Sequence, residues 1–215
     1  MSADDAVVRP HVPAPVSPGP LATILSGERA RLATAEDTHA LGVELGAMLR
    51  PGDLVLLTGD LAAGKTTLTQ GIGAGLQVRG PITSPTFVLA RVHPSLGSGP
   101  ALVHVDAYRL GGLAELDDLD LDAELDEVVT VVEWGHGMAE VLAENRLEIV
   151  LSRAEPTDEA TGGGPASGDG VVSGDVGDSG DVGDSEAMSD LEGAQARWVS
   201  AVGHGPRWSG AERAR

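Results

Sequence analysis

The chain alternates between short, wholly apolar runs and stretches whose apolar residues recur every three or four positions. Leu54-Val55-Leu56-Leu57-Thr58 is the clearest run. It lacks polar alternation, as expected of a parallel strand covered on both faces. Upstream, Thr34 stands three residues before Asp37, close to a capping box, and Ala40, Leu41, Val43, Leu45 and Leu49 follow at mostly helical spacing. Arg50-Pro51-Gly52-Asp53 ends that helix. A glycine loop then leads into a predicted helix over 65–76. Strands are predicted over 87–92, 101–107, 128–132 and 146–151, and a helical turn over 138–143. The acidic, Leu-spaced 113–127 segment reads as helix or loop, and 196–202 as a further strand. Strands alternating with helices predict an α/β sandwich with a central, mostly parallel sheet flanked by helices.

Composition sets the limits of the folded part. The first twenty residues hold five prolines, so 1–21 reads as an unfolded tail. From Glu155 to Glu192 there are eleven acidic residues and no Lys or Arg, and Gly-Asp-Val-Gly-Asp-Ser occurs at 174–179 and again at 180–185. Such a stretch buries too little apolar surface to offset its chain entropy. The expected organisation is one domain over 22–153, an acidic disordered insertion over 154–194, a final strand of the same domain over 195–204, and a tail over 205–215. A calcium-binding reading of the repeat fails, because two copies without an aliphatic pattern cannot stack.

The 215 residues carry 14 Lys and Arg against 33 Asp and Glu, a formal charge of −19. That balance makes the chain a poor direct ligand for nucleic acid, whose affinity for proteins comes mainly from cations. The absence of cysteine excludes disulfides, thiolate nucleophiles and zinc–thiolate sites. No apolar run approaches the roughly 20 residues of a membrane helix, and the start is unlike a secretory signal. A cytoplasmic protein is expected.

The strongest chemical signal is Gly59-Asp60-Leu61-Ala62-Ala63-Gly64-Lys65-Thr66. It fits G-x-x-x-x-G-K-[ST] between an apolar strand and a helix, the context a phosphate-binding loop requires. Backbone N–H groups of such a loop wrap a phosphate, the helix start adds donors, the lysine adds a point charge, and the Thr hydroxyl can hold Mg²⁺. Lys65 is the only lysine, while the other thirteen cations are Arg. That usage suits a site needing a compact ammonium. Gly71, Gly73 and Gly75 lack dinucleotide-fingerprint spacing and read as helix-end glycines.

A phosphate loop needs a carboxylate near the metal. Glu133 ends the Val131-Val132 run, and Asp106 ends Leu102-Val103-His104-Val105. If that strand persists, His104, Asp106 and Tyr108 share one face and Arg109 points away. As lone members of their residue types, Tyr108 and Phe87 read as core plugs. Thr83-Ser84-Pro85-Thr86-Phe87 is a hydroxyl-rich loop, either a simple turn or a switch that senses nucleotide.

These motifs (Gly59 to Thr67, Ser84-Pro85-Thr86-Phe87, His104-x-Asp106-x-Tyr108-Arg109 and Glu133-Trp134) occur in an order and spacing that resemble the bacterial TsaE (YjeE) family. The resemblance covers about 24–152 and 196–202. It implies a P-loop NTPase three-layer sandwich that binds ATP and Mg²⁺ and hydrolyses ATP slowly on its own. It implies partnership with TsaD and TsaB in tRNA threonylcarbamoyladenosine biosynthesis, resetting the transferase between turnovers and meeting tRNA only through those partners. Gly59, Asp60, Leu61, Ala62, Ala63, Gly64, Lys65, Thr66 and Thr67 would then hold the nucleotide, with Thr38 approaching from the first helix. Thr66 and Glu133 would hold the metal, and Lys65, Asp106 and Glu133 would carry the chemistry. Ser84, Pro85 and Thr86 would form a switch-like loop, and Trp134 would neighbour the site. The chain departs from the family at Ala62, where glycine is usual, and in the acidic insertion.

Two other readings use the same loop. A small-molecule kinase would need an Arg-bearing lid, but residues 110–130 hold eight acidic residues and no Lys or Arg. A nucleotide-dependent binding module would use Asp106 and Glu133 only to hold metal.

Overall fold

The computed structural model describes residues 18–85, 89–109, 125–153 and 196–208. Its elements, in chain order, are α1 (Pro20–Leu25), β1 (Ala30–Leu32), α2 (Ala35–Met48), β2 (Leu54–Gly59), α3 (Lys65–Gly75), β3 (Ala90–His93), β4 (Leu102–Asp106), β5 (Val129–Glu133), β6 (Arg146–Ser152) and β7 (Arg197–His204). Short 3-10 turns occupy Ala107–Arg109 and Ala139–Val141.

The seven strands form one sheet in the order β1-β7-β6-β2-β5-β4-β3. β6, β2, β5 and β4 pair in parallel. β7 runs antiparallel between β6 and β1, and β3 closes the other edge antiparallel to β4. The mixed, mostly parallel sheet with helices is an α/β P-loop NTPase fold. The carboxyl ends of β2, β5 and β4 therefore lie side by side, where open α/β sheets bind ligands.

The apolar runs explain the centre. β4 and β5 are buried at every residue, and β2 at its first four. Alternate residues of β2 enter two cores. Val55 and Leu57 pack with Leu41, Leu45, Leu68 and Ile72 of α2 and α3, whereas Leu54 and Leu56 pack with Val103, Val105, Val132 and Ala139. Among the described residues all three helices cover one face, and the other is covered by the Ala139 turn and its neighbours.

The capping box at the start of α2 forms in full. Thr34 Oγ1 accepts from Asp37 N at 3.1 Å, and Asp37 Oδ2 accepts from Thr34 N at 3.0 Å. The two helices touch through glycines. A Cβ on Gly42 would lie 2.8 Å from Gly71 Cα, and one on Gly75 would lie 3.0 Å from Gly46 Cα. Gly71 and Gly73 are interior to α3, where close packing and not helix ending explains them, whereas Gly75 is its last residue, as expected, and is closely packed as well.

Several expectations shift. α1 begins at Pro20, inside the stretch read as tail, and β1 had no counterpart in the sequence reading. The strand expected over 87–92 is Ala90–His93, with Phe87 outside the described residues. The strand through Asp106 stops there and turns, so Tyr108 leaves the His104–Asp106 face. Residues 205–208 are not tail: Trp208 is fully buried against Gly203, and Arg207 Nη2 donates to Met48 O at 2.8 Å. The 113–124 segment and the acidic insertion lie outside the described residues.

Candidate functional site

The loop after β2 closes onto the first turn of α3 with Gly64 in the left-handed region at φ 101°. It forms one wall of a cleft of about 630 Å³, within the usual range for small-molecule sites. Leu61, Ala62, Ala63, Gly64, Lys65, Thr66 and Thr67 line this wall. Ser84, Asp106, Tyr108, Glu133 and Trp134 line the β4–β5 side, and Ala35 and Arg197 lie on the α2–β7 side.

Lys65 is 5% exposed, and its ammonium meets two backbone carbonyls and an aromatic ring. Nζ donates to Gly59 O at 2.7 Å and Asp60 O at 2.8 Å, and it sits 3.9 Å from the centre of the Trp134 ring. Burial lowers its pKa from the usual lysine value, opposed by the charges of Glu133, Asp106 and Asp60. The Trp134 backbone stands at φ 63° and its N–H donates to Leu57 O at 3.0 Å. Its indole also meets Tyr108, ring centres 5.3 Å apart. Tyr108 is 65% exposed, so it is a rim residue and not the core plug that its rarity suggested.

Parallel pairing of β4 with β5 sets Asp106 beside Glu133, both buried. Glu133 Oε1 accepts from the Thr66 hydroxyl at 3.0 Å and from His104 Nε2 at 2.9 Å, which places a proton on that ring nitrogen. Both contacts use Oε1. His104 is fully buried, and its Nδ1 has no hydrogen-bond partner among the described residues. Asp106 Oδ2 accepts from Ser84 Oγ at 2.9 Å and Oδ1 from Tyr108 N at 3.1 Å. The Ser84–Pro85 loop is thereby tied to a carboxylate of the cleft. Pro85 is itself buried, and its carbonyl accepts from Leu89 N at 2.8 Å. Thr86 lies outside the described residues.

Some expected residues take other places. The Thr38 hydroxyl donates to Thr34 O at 3.1 Å, and its methyl group faces Gly64. Ala35, one turn earlier in α2, lines the cleft in its stead. Gly59 and Asp60 meet Lys65 through their carbonyls and do not line the cleft. Arg109 is exposed on the turn after β4. Arg197, 5% exposed, escaped sequence reading, since only the β1-β7-β6 order carries it to a loop 133 positions earlier.

A hydroxyl and one or two carboxylates suit Mg²⁺, which is usually held by few protein ligands plus waters and phosphate oxygens. The bare left-handed Gly64 at the start of α3 suits a phosphate against backbone amides. Both groups fit the residues present.

The family model for Threonylcarbamoyl adenosine biosynthesis protein TsaE matches residues 32–160. The chain belongs to the TsaE family. The TsaE of Streptomyces coelicolor is 65% identical over 115 residues, 53% of this chain and 78% of that protein. The TsaE of Mycobacterium bovis is 50% identical over 144 residues, 64% of this chain and 86% of the relative. The crystal structure of Bacillus subtilis YdiB matches with a TM-score of 0.51 and 27% identity, over 84% of this chain and 87% of that one. The TsaE match includes the phosphate loop, Asp106 and Glu133 but ends before β7. Membership places the chain in tRNA threonylcarbamoyladenosine biosynthesis. Among the described residues, no helix is long and apolar enough to cross a membrane.

Proposed function

We propose that this chain binds ATP with Mg²⁺ and hydrolyses it slowly, as the component of the threonylcarbamoyladenosine machinery that resets a TsaB–TsaD transferase. The supporting observation is the convergence of Lys65, Thr66, Glu133 and Asp106 on one cleft beside a phosphate loop. The loop amides and the Lys65 ammonium bind the phosphates, and Thr66 and Glu133 hold the metal. Mg²⁺, when bound, neutralises charge that builds on the transferred phosphoryl group. Asp106 accepts a hydrogen bond from, and so orients, the attacking water. His104 holds Glu133 in place through Oε1. Contact with tRNA is through the partners, in keeping with a formal charge of −19.

The test is turnover in the assembled complex. Glu133→Gln is expected to cut partner-stimulated ATP hydrolysis by about a hundredfold or more, the scale of losing a preorganised electrostatic group. Cells carrying only Lys65→Ala should lose threonylcarbamoyladenosine from their tRNA. Normal modification in those cells would reject the reading. Binding that survives with no turnover under any partner condition would leave a nucleotide-dependent binding module.

A further inference from the structure

The cleft contains a second buried cation whose position gives it a task. Resting on the nucleotide-binding reading above, we propose that Arg197 holds the α-phosphate of the bound nucleotide, on the flank opposite the Thr66–Glu133 pair.

The geometry follows from strand order. β2 delivers the phosphate loop. On one side of it, β5 brings Glu133 to within 3.0 Å of the Thr66 hydroxyl. On the other side lie β6 and then β7, whose first residue is Arg197, in register with Leu32 of β1. A Cβ on Gly64 would lie 3.1 Å from Arg197 Nε and 3.4 Å from its Cδ. The guanidinium arm thus crosses the bare backbone at the first turn of α3, an 11-residue helix whose N-terminal amides favour an anion. An anion there meets amides along the helix axis and a guanidinium from the side.

Charge layout orders the chain of phosphates. The Thr66–Glu133 pair would hold the metal, and so marks the end of the cleft that suits the terminal phosphates. A triphosphate laid along the loop from that end carries its α-phosphate toward the α2–β7 flank, where Arg197 lies. A planar fork suits two phosphate oxygens better than an ammonium does. This gives Lys65 the terminal phosphates and Arg197 the nucleoside end. It also gives β7 a role in ligand binding, although the acidic stretch separates it from the rest of the domain.

The test measures binding of ATP and of both α-thio diastereomers of ATP at millimolar Mg²⁺, using the full chain. Wild type, Arg197→Lys, Arg197→Met and Lys65→Ala are compared, and each variant's thermal unfolding without nucleotide reports folding. Arg197→Met is expected to weaken ATP binding about 10- to 100-fold, the range for a hydrogen bond to a charged group. It should also erase the preference for ATP over at least one α-thio isomer. Arg197→Lys should keep part of the affinity while changing that preference, and it carries the test if the Met variant does not fold. A folded Arg197→Met that binds ATP within about twofold of wild type overturns the proposal, on the same scale. So does an Arg197→Lys with an unchanged thio preference, or a wild type indifferent to the thio substitution. If wild type binds no adenine nucleotide at all, the functional reading falls first and this inference with it.

Discussion

Ala62 adopts φ 59° in the phosphate loop, a conformation that costs a residue with a Cβ about 1–2 kcal/mol. Ala62→Gly removes that strain but loosens the unfolded chain, so a net gain of about 1 kcal/mol is expected in urea unfolding. A loss of stability would show that the loop does not hold this conformation in solution. Lys65 supports a pH prediction. Phosphate binding requires the ammonium, and burial lowers the folded-state pKa below 10.5. ATP affinity should hold level at neutral pH and fall as pH rises through that lowered value. In the same window the unfolded chain binds more protons than the folded one, so the Lys65 contribution to nucleotide-free stability rises with pH. Calorimetry from neutral to alkaline pH checks the first claim, and affinity that persists up to 10.5 would refute it. The residues of the loop and the two strand-end carboxylates were legible because each motif sits on one continuous segment. Arg197 and the exposed Tyr108 were not. One reaches the cleft through strand order, and the other depends on a turn that apolar periodicity does not reveal.

At the scale of elements, α2 and α3 hold the cleft through their glycine contact, and both begin at its wall. Gly71→Ala pushes a Cβ into the His39 carbonyl and Gly42. Overpacking of this kind costs about 1–3 kcal/mol, more than the roughly 1 kcal/mol that alanine gains in a helix. Net destabilisation is expected, and a more stable variant would refute the packing account. The apolar runs of β2, β4 and β5 were readable because parallel strands bury both faces. β1, at three residues, was too short to show a period, and among the described residues it pairs only with β7. The turn after β7 was hidden for a related reason. Trp208 is fully buried as a member of the main core cluster, which also holds Ile24, Leu45 and Leu147, and Arg207 reaches Asp53 at 3.5 Å and Met48. Trp208→Ala should cost about 3–5 kcal/mol in a denaturant titration, the usual range for a large buried aromatic. A cost below 1 kcal/mol would return these residues to the tail.

For the whole molecule, charge is the dominant unusual feature. The eleven carboxylates of 155–192 account for more than half of the −19, and removing them leaves −19 + 11 = −8. The chain enters this stretch after β6 and returns at β7, and Leu151 of β6 is in register with Gly59 at the phosphate loop. The antiparallel pair Ser152–Trp198 would accept a short turn in its place. A chain with 155–193 replaced by such a turn should fold and bind ATP more tightly at low salt, because repulsion at the cleft is reduced. The advantage should vanish at high salt, where the Debye length is a few ångströms. Equal affinities at low salt would show that the acidic stretch does not act on the cleft. The functional expectations among these depend on whether the loop after β2 and the carboxyl ends of β4 and β5 bind a nucleoside triphosphate. Calorimetric titration of the full chain with ATP at millimolar Mg²⁺ measures this directly. The account predicts one saturable site, lost in Lys65→Ala while that variant remains folded. Undiminished binding by folded Lys65→Ala, or no heat from the wild type, would contradict it.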